Sequence, residues 1–177
     1  MTEAHTPKLI HQPTTEQIWA WLEEVCDPEI PVVSVVDLGI IRDVRWSEDE
    51  RELIVDLTTT YSGCPATGVI ALDVEMALRH RGLEHVRIVQ KLSPPWSSDW
   101  IKEDAREKLR QYGIAPPVGM TKGPPSIDRL LNKTVVVPCP RCGSQNTSRI
   151  SEFGSTACKA QYRCVSCLEP FDYFKCV

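Results

Sequence analysis

The chain has 177 residues, enough for one domain of ordinary size and a small annex, and its 42% apolar and 25% charged content reads as a soluble globular protein. Its net charge is −4, Met1 to Pro13 is polar, and no apolar run approaches ~18 residues, so neither a signal peptide nor a membrane span is expected and the expected location is the cytoplasm. Thiols stay reduced there, so eight cysteines point to metal or thiol chemistry before disulfides.

After a loose arm, Thr14-Thr15-Glu16-Gln17 offers a capping box, and a helix is expected to about Val25 with Ile18, Trp21, Leu22 and Val25 on its apolar face. Pro28 and Pro31 forbid its continuation, so the segment Cys26 to Ile41 is expected to hold an ordered loop or short turn. Three acids run through that loop. Asp27 and Glu29 suit turn-making and capping. Asp37 is hemmed by Val35, Val36 and Leu38 and needs a partner for its carboxylate. A strand from Ile40 to Trp46 follows, with Ile40, Val44 and Trp46 on one face and Ile41 on the other. The charged turn Ser47 to Glu50 then makes a hairpin with the strand Arg51 to Thr60.

That second strand runs into Tyr61-Ser62-Gly63-Cys64-Pro65, and a helix is expected from Pro65 to about Arg81, stopped by Gly82. Cys64 then sits at or next to the helix N-cap, where unpaired N–H groups and the helix dipole favour a thiolate. A small buried apolar residue at a tight turn is the plainer reading. Val86 to Leu92 reads as a third strand. Ser93-Pro94-Pro95 ends it, and Ser97 or Ser98 caps a helix over Asp99 to Tyr112. Strand, strand, helix, strand makes an α+β fold: a small sheet with helices packed on one face.

Residues 113–134 are rich in proline and glycine and read as a linker, with a short helical turn over Ser126 to Leu131. It separates a domain over 14–112 from a second unit over 135–177. Cys139-Pro140-Arg141-Cys142 and Cys164-Val165-Ser166-Cys167 are two C-x-x-C pairs about twenty residues apart. Four thiolates with no open position describe structural zinc. With strand-like segments at 148–153, 160–163 and 171–175, this is a small all-β zinc ribbon. Rubredoxin-like iron in the same cage and disulfides are the rivals. So short a segment has too little core to fold unaided, and the metal supplies the folding energy. Cys158 and Cys176 are left over, most simply as apolar fill.

Asp27-Pro28-Glu29-Ile30-Pro31, Val35-Val36-Asp37-Leu38-Gly39-Ile40-Ile41, Thr60 through Cys64-Pro65, and Pro95-Trp96-Ser97 resemble the iron–sulfur cluster assembly domain of the metal–sulfur cluster biosynthesis family, over about residues 14–112. Joined to a four-cysteine ribbon ending in Glu169-Pro170-Phe171-Asp172, the chain resembles the family of D subunits of bacterial phenylacetyl-CoA epoxidase systems. The resemblance implies an assembly factor in phenylacetate catabolism that helps iron–sulfur or diiron proteins acquire metal. It is expected to carry no intrinsic catalysis. It places the polar site at Cys64, Asp37 and Thr60, with Asp27 and Glu29 beside them; at Tyr61 many relatives carry another small polar residue. It points to the reductase subunit or the diiron oxygenase subunit as client. One thiolate per chain cannot hold a cluster that usually takes four. Iron or a cluster at Cys64 would be shared across a homodimer, bound with a small thiol, or held in transit with the client.

Two other classes stay open. A cysteine-dependent enzyme would need a base beside Cys64, and His80 lies at the far end of the expected helix, about 24 Å away by helical rise. A nucleic-acid-binding ribbon would need a positive footprint. From Lys133 onward the chain has six basic and three acidic residues, and zinc with four thiolates lowers that excess to about +1. Docking onto a client or self-association suits the ribbon better.

Overall fold

The computed structural model describes residues 12–61, 63–118 and 136–176. They divide into two compact units, one ending at Trp96 and one beginning at Ser97.

The first unit opens with α1 (Thr15–Leu22), set by a complete capping box: Thr14 Oγ1 accepts from Gln17 N, and Gln17 Oε1 accepts from Thr14 N. The helix is shorter than its apolar pattern suggested. Glu24 and Val25 already bond back in single turns to Trp21 and Leu22, which still buries Val25. Two antiparallel strands follow, β1 (Ile41–Trp46) and β2 (Leu53–Leu57). Helix α2 (Thr67–Arg79) then crosses to β3 (Val86–Gln90), which lies parallel to β2. The order is β1-β2-β3, so β2 is central and buried along its whole length. α1 packs on α2 and β1, and α2 on β3.

Ile41 and Val44, expected on opposite faces, are both buried. The register against β2 shifts between Ile41 and Asp43, and an extra residue in one strand reverses the alternation that follows it. Asp56, also buried on β2, is held by Arg45 at 2.8 Å and Lys91 at 3.6 Å.

The loop between α1 and β1 is as ordered as its apolar residues required. Asp27 Oδ1 accepts from the N–H groups of Glu29 and Ile30, which fixes the turn through Pro28. A single helical turn then spans Ser34 to Leu38, closed by the Leu38 N–H on the Ser34 carbonyl. Gly39 ends it at φ 65, a left-handed conformation that glycine adopts without strain.

The second unit differs from the expected division. The helix predicted over 99–112 is a 3-10 turn (Ser98–Trp100), a break at Ile101 and Lys102, and then α3 (Glu103–Tyr112). α3 passes through Gly113 (φ 100) straight into β4 (Ile114–Ala115). β4 pairs in parallel with β7 (Pro170–Phe174), which pairs with β6 (Lys159–Cys164), which pairs with β5 (Thr147–Ser151). Residues 114–115, expected in the linker, are therefore an edge of the ribbon sheet, and α3 counts with the ribbon. A two-residue strand has no periodicity to read, so only its pairing reveals it. The helical turn expected over Ser126 to Leu131 and the arm before Gln12 lie outside the described residues.

The ribbon core is Ala115, Val137, Ala160, Tyr162, Phe171 and Tyr173, with Cys139 and Cys164 buried among them. Tyr162 stacks on Phe171 and meets Tyr173 edge-on. Gly143 and Leu168 each follow a C-x-x-C pair and hold matching left-handed conformations, φ 73 and φ 67. Leucine is strained there and is also 61% exposed. Leu168→Gly is expected to stabilise the ribbon by about 1 kcal/mol, read as slower zinc loss to a chelator. An equal or faster loss would refute the strain.

Candidate functional site

Cys139, Cys142, Cys164 and Cys167 converge with all four Sγ atoms within 4.8 Å of one another. Sγ–Sγ separations are 3.8 Å for Cys139–Cys167 and 3.6 Å for Cys142–Cys164. Four ligands about 2.3 Å from a tetrahedral ion stand about 3.8 Å apart, so the cage fits zinc and leaves no open position. Backbone turns aim the thiols. Gly143 N–H returns to the Cys139 carbonyl, and Cys139 N–H reaches Ser144 O. The Cys167 N–H donated to Cys164 Sγ at 3.5 Å holds that thiol down at about 6, while burial and the neighbouring thiols push Cys142 and Cys167 up, so Cys164 is the first thiolate of the cage. Cys158 and Cys176 stand outside the cage. Cys158 is buried with Thr156 Oγ1 at 3.0 Å, and Cys176 Sγ lies 3.2 Å from Val118 O.

The second cluster lies where β2 ends. Thr58, Thr59 and Thr60 are all buried. Thr59 Oγ1 donates to Tyr61 O at 3.1 Å, and Cys64 N–H donates to the same carbonyl at 3.2 Å. Cys64 O in turn accepts from both Oγ1 and N of Thr67. These bonds make Cys64 the hinge of two back-to-back turns, with its side chain half-buried. They also delay α2: its N-cap is Ala66, so Pro65 is not the first helical position and Cys64 precedes the cap by two residues.

The Asp37 turn is tied to this end of the sheet. Ile40 O accepts from Thr58 N at 2.9 Å, and Leu38 O accepts from the Trp96 indole Nε1 at 2.9 Å. Asp37, 5% exposed, finds the partner its surroundings required: its Oδ2 accepts from Ser34 N, while Ser34 Oγ accepts from Asp37 N. This is a capping box on a one-turn helix. The Ser-x-x-Asp spacing at 34–37 was a legible signal for it, and Ser34 is a residue that sequence reasoning missed. Trp96 stands in the Pro95-Trp96-Ser97 motif. Its indole pins the Asp37 turn. The histidines within the described residues lie away from Cys64. His80 caps the opposite end of α2, and His85 joins the start of β2 through Leu53.

Residues 15–90 match the family model described as iron–sulfur cluster assembly protein, and residues 123–175 match that of the PaaD zinc beta ribbon domain. The D subunit of the "Putative 1,2-phenylacetyl-CoA epoxidase" of Escherichia coli (strain K12) is 47% identical over 171 residues, covering 95% of this chain and 96% of that one. The chain belongs to the family of phenylacetyl-CoA epoxidase D subunits. It joins an α+β unit of the iron–sulfur assembly type to a zinc ribbon, as the two C-x-x-C pairs and the motifs around Cys64 implied. A domain of unknown function from Bacillus anthracis is 31% identical, covering 53% of this chain and 89% of its own, with a TM-score of 0.48. A conserved hypothetical protein of Thermotoga maritima is 28% identical, covering 57% and 98%, with a TM-score of 0.47. No helix among the described residues of this family member is long and apolar enough to cross a membrane.

Proposed function

We propose that the protein is a non-catalytic accessory factor of a phenylacetyl-CoA epoxidase system that helps load iron or an iron–sulfur cluster into the reductase or the oxygenase subunit, with Cys64 as transient ligand. The observation that carries this reading is a half-buried thiol on a hydrogen-bonded turn, inside a segment that matches an iron–sulfur cluster assembly family. Thr60, buried, immediately precedes that turn. Asp37 serves it indirectly, because its carboxylate folds the turn that binds Thr58 through Ile40. Asp27 and Glu29 act further out, Asp27 by holding its own loop. A single thiol without other nearby cysteines in sequence suits cargo in passage, since a resident cluster usually takes four.

The test is the iron and sulfide content of the reductase and oxygenase subunits from cells carrying wild-type protein or Cys64→Ala. The substitution removes one sulfur at a turn and little core volume, so the fold should survive. Clients from the variant cells are expected to be short of iron or sulfide. Fully loaded purified clients should work equally well with either version or with neither. Normal loading beside lost pathway activity would move the role from assembly to catalysis.

A further inference from the structure

Helix α2 carries two apolar faces, although a surface helix needs only one. Ile70, Val74 and Leu78 are 2%, 0% and 0% exposed and belong to the core of the first unit. Val69, Leu72 and Met76 recur at i, i+3 and i+7 and are 48%, 55% and 45% exposed. At 3.6 residues per turn this second stripe lies roughly opposite the first. About half of each of these side chains is in water, and that half does nothing for the stability of the chain that carries it. A contiguous stripe of that kind marks an interaction surface. It starts beside the functional turn, since Thr67 at the head of α2 bonds to the Cys64 carbonyl.

The charge distribution indicates what covers the stripe. Residues 1–96 hold 16 acidic and 8 basic residues, whereas residues 97–177 hold 8 acidic and 12 basic. On α2 itself Glu75 is paired with Arg79 at 2.7 Å and Asp73 adds a further negative charge, so the excess comes from the unit as a whole. A second copy packed α2 against α2 would set the acidic unit against itself. Three side chains also offer far less than the ~800 Å² per partner of a stable dimer. Such a surface suits a partner that docks briefly and brings positive charge.

Resting on the reading that Cys64 passes iron or a cluster to a client, we infer that the Val69–Leu72–Met76 face of α2 docks that client through an apolar patch ringed by lysine and arginine. The apolar contact supplies the affinity, the opposite charges set encounter and orientation, and the client is held along the helix that begins next to Cys64.

The experiment uses the full chain with Leu72→Glu and Met76→Glu together. Both side chains are about half exposed, so melting temperature and zinc content are expected to match wild type. Binding to the purified reductase and oxygenase subunits is measured by calorimetry at low and high salt. Wild type is expected to bind at least one of them, more weakly as salt screens the charges, and the double variant to bind it at least about tenfold more weakly. Cys64→Ala should bind like wild type whatever the outcome of the loading experiment, which separates docking from delivery. Equal binding by the double variant, no binding by wild type, or binding strengthened by salt would each overturn the inference. So would a lowered melting temperature in the double variant, because the chain itself would then cover the stripe. A wild-type dimer that the variant fails to form would assign the face to a second copy instead.

Discussion

Cys142→Ser is expected to release the zinc and unfold the ribbon while the first unit melts as before. Cys142 is exposed, so the change empties no core and its effect falls on the metal. Zinc bound by four thiolates contributes about 10–16 kcal/mol of folding free energy in isolated zinc modules. The ribbon's own core, Ala115, Val137, Ala160 and the rings of Tyr162, Phe171 and Tyr173, with Phe174 also buried on β7, is small and does not replace that. The loss should reach back beyond the cysteines. Among the described residues β4 pairs only with β7, and Val118 packs against the same core, so residues 114–118 should lose their protection from hydrogen exchange together with β6 and β7. Metal analysis and limited proteolysis read the effect. A chelator should reproduce it in wild type, and added zinc should reverse it there but not in the variant. A variant with full zinc content and a protease-resistant C-terminal region would rule out this cage as the source of the ribbon's stability.

Asp37→Ala is expected to destabilise the first unit by about 1–3 kcal/mol, because it strips a buried N–H, that of Ser34, of its acceptor. The capping box is reciprocal, so the turn that presents Leu38 O to Trp96 and Ile40 O to Thr58 loosens at the same time. Asp37→Asn keeps an acceptor oxygen and should lose less. Urea unfolding measures both, as a lower midpoint with an unchanged slope. If Asp37 were instead mainly a ligand for iron, Asp37→Asn and Asp37→Ala would impair client loading equally and leave stability near wild type.

The histidines bear on the alternative of a cysteine-dependent enzyme. A nucleophilic Cys64 would want a base within hydrogen-bond reach. His80 and His85 sit at the opposite end of α2 and beside the opposite end of β2. The expectation that His80 lies far along the helix rested on helical rise alone. The later start of α2 leaves His80 at the same far end of that helix.

Local chemistry was enough to read several features from the sequence. The capping box at Thr14, the hairpin around Ser47 to Glu50, the third strand after α2 and the convergence of the two C-x-x-C pairs depend on neighbours within a few residues or on a spacing that one tetrahedral ion dictates. The resemblance around Asp37 and Cys64 was visible for the same reason, since its residues fall in short contiguous runs. Other features depend on atoms that meet from distant parts of the chain. The extra residue near Arg42 changes which side chains are buried, but it appears only in the pairing with β2. Ile114 and Ala115 look like linker until β7 supplies a partner strand. The bond that fixes Trp96 joins it to Leu38, 58 positions earlier, and no local pattern announces it. Val69, Leu72 and Met76 read as ordinary apolar residues of a helix, because periodicity reports that a face is apolar and not whether anything covers it. The elements and the metal cage were thus legible in the chain alone, because their causes are local. Where the two units divide, what holds Asp37 and which face of α2 is left in water were settled only in the folded molecule, because each depends on which distant groups are brought into contact.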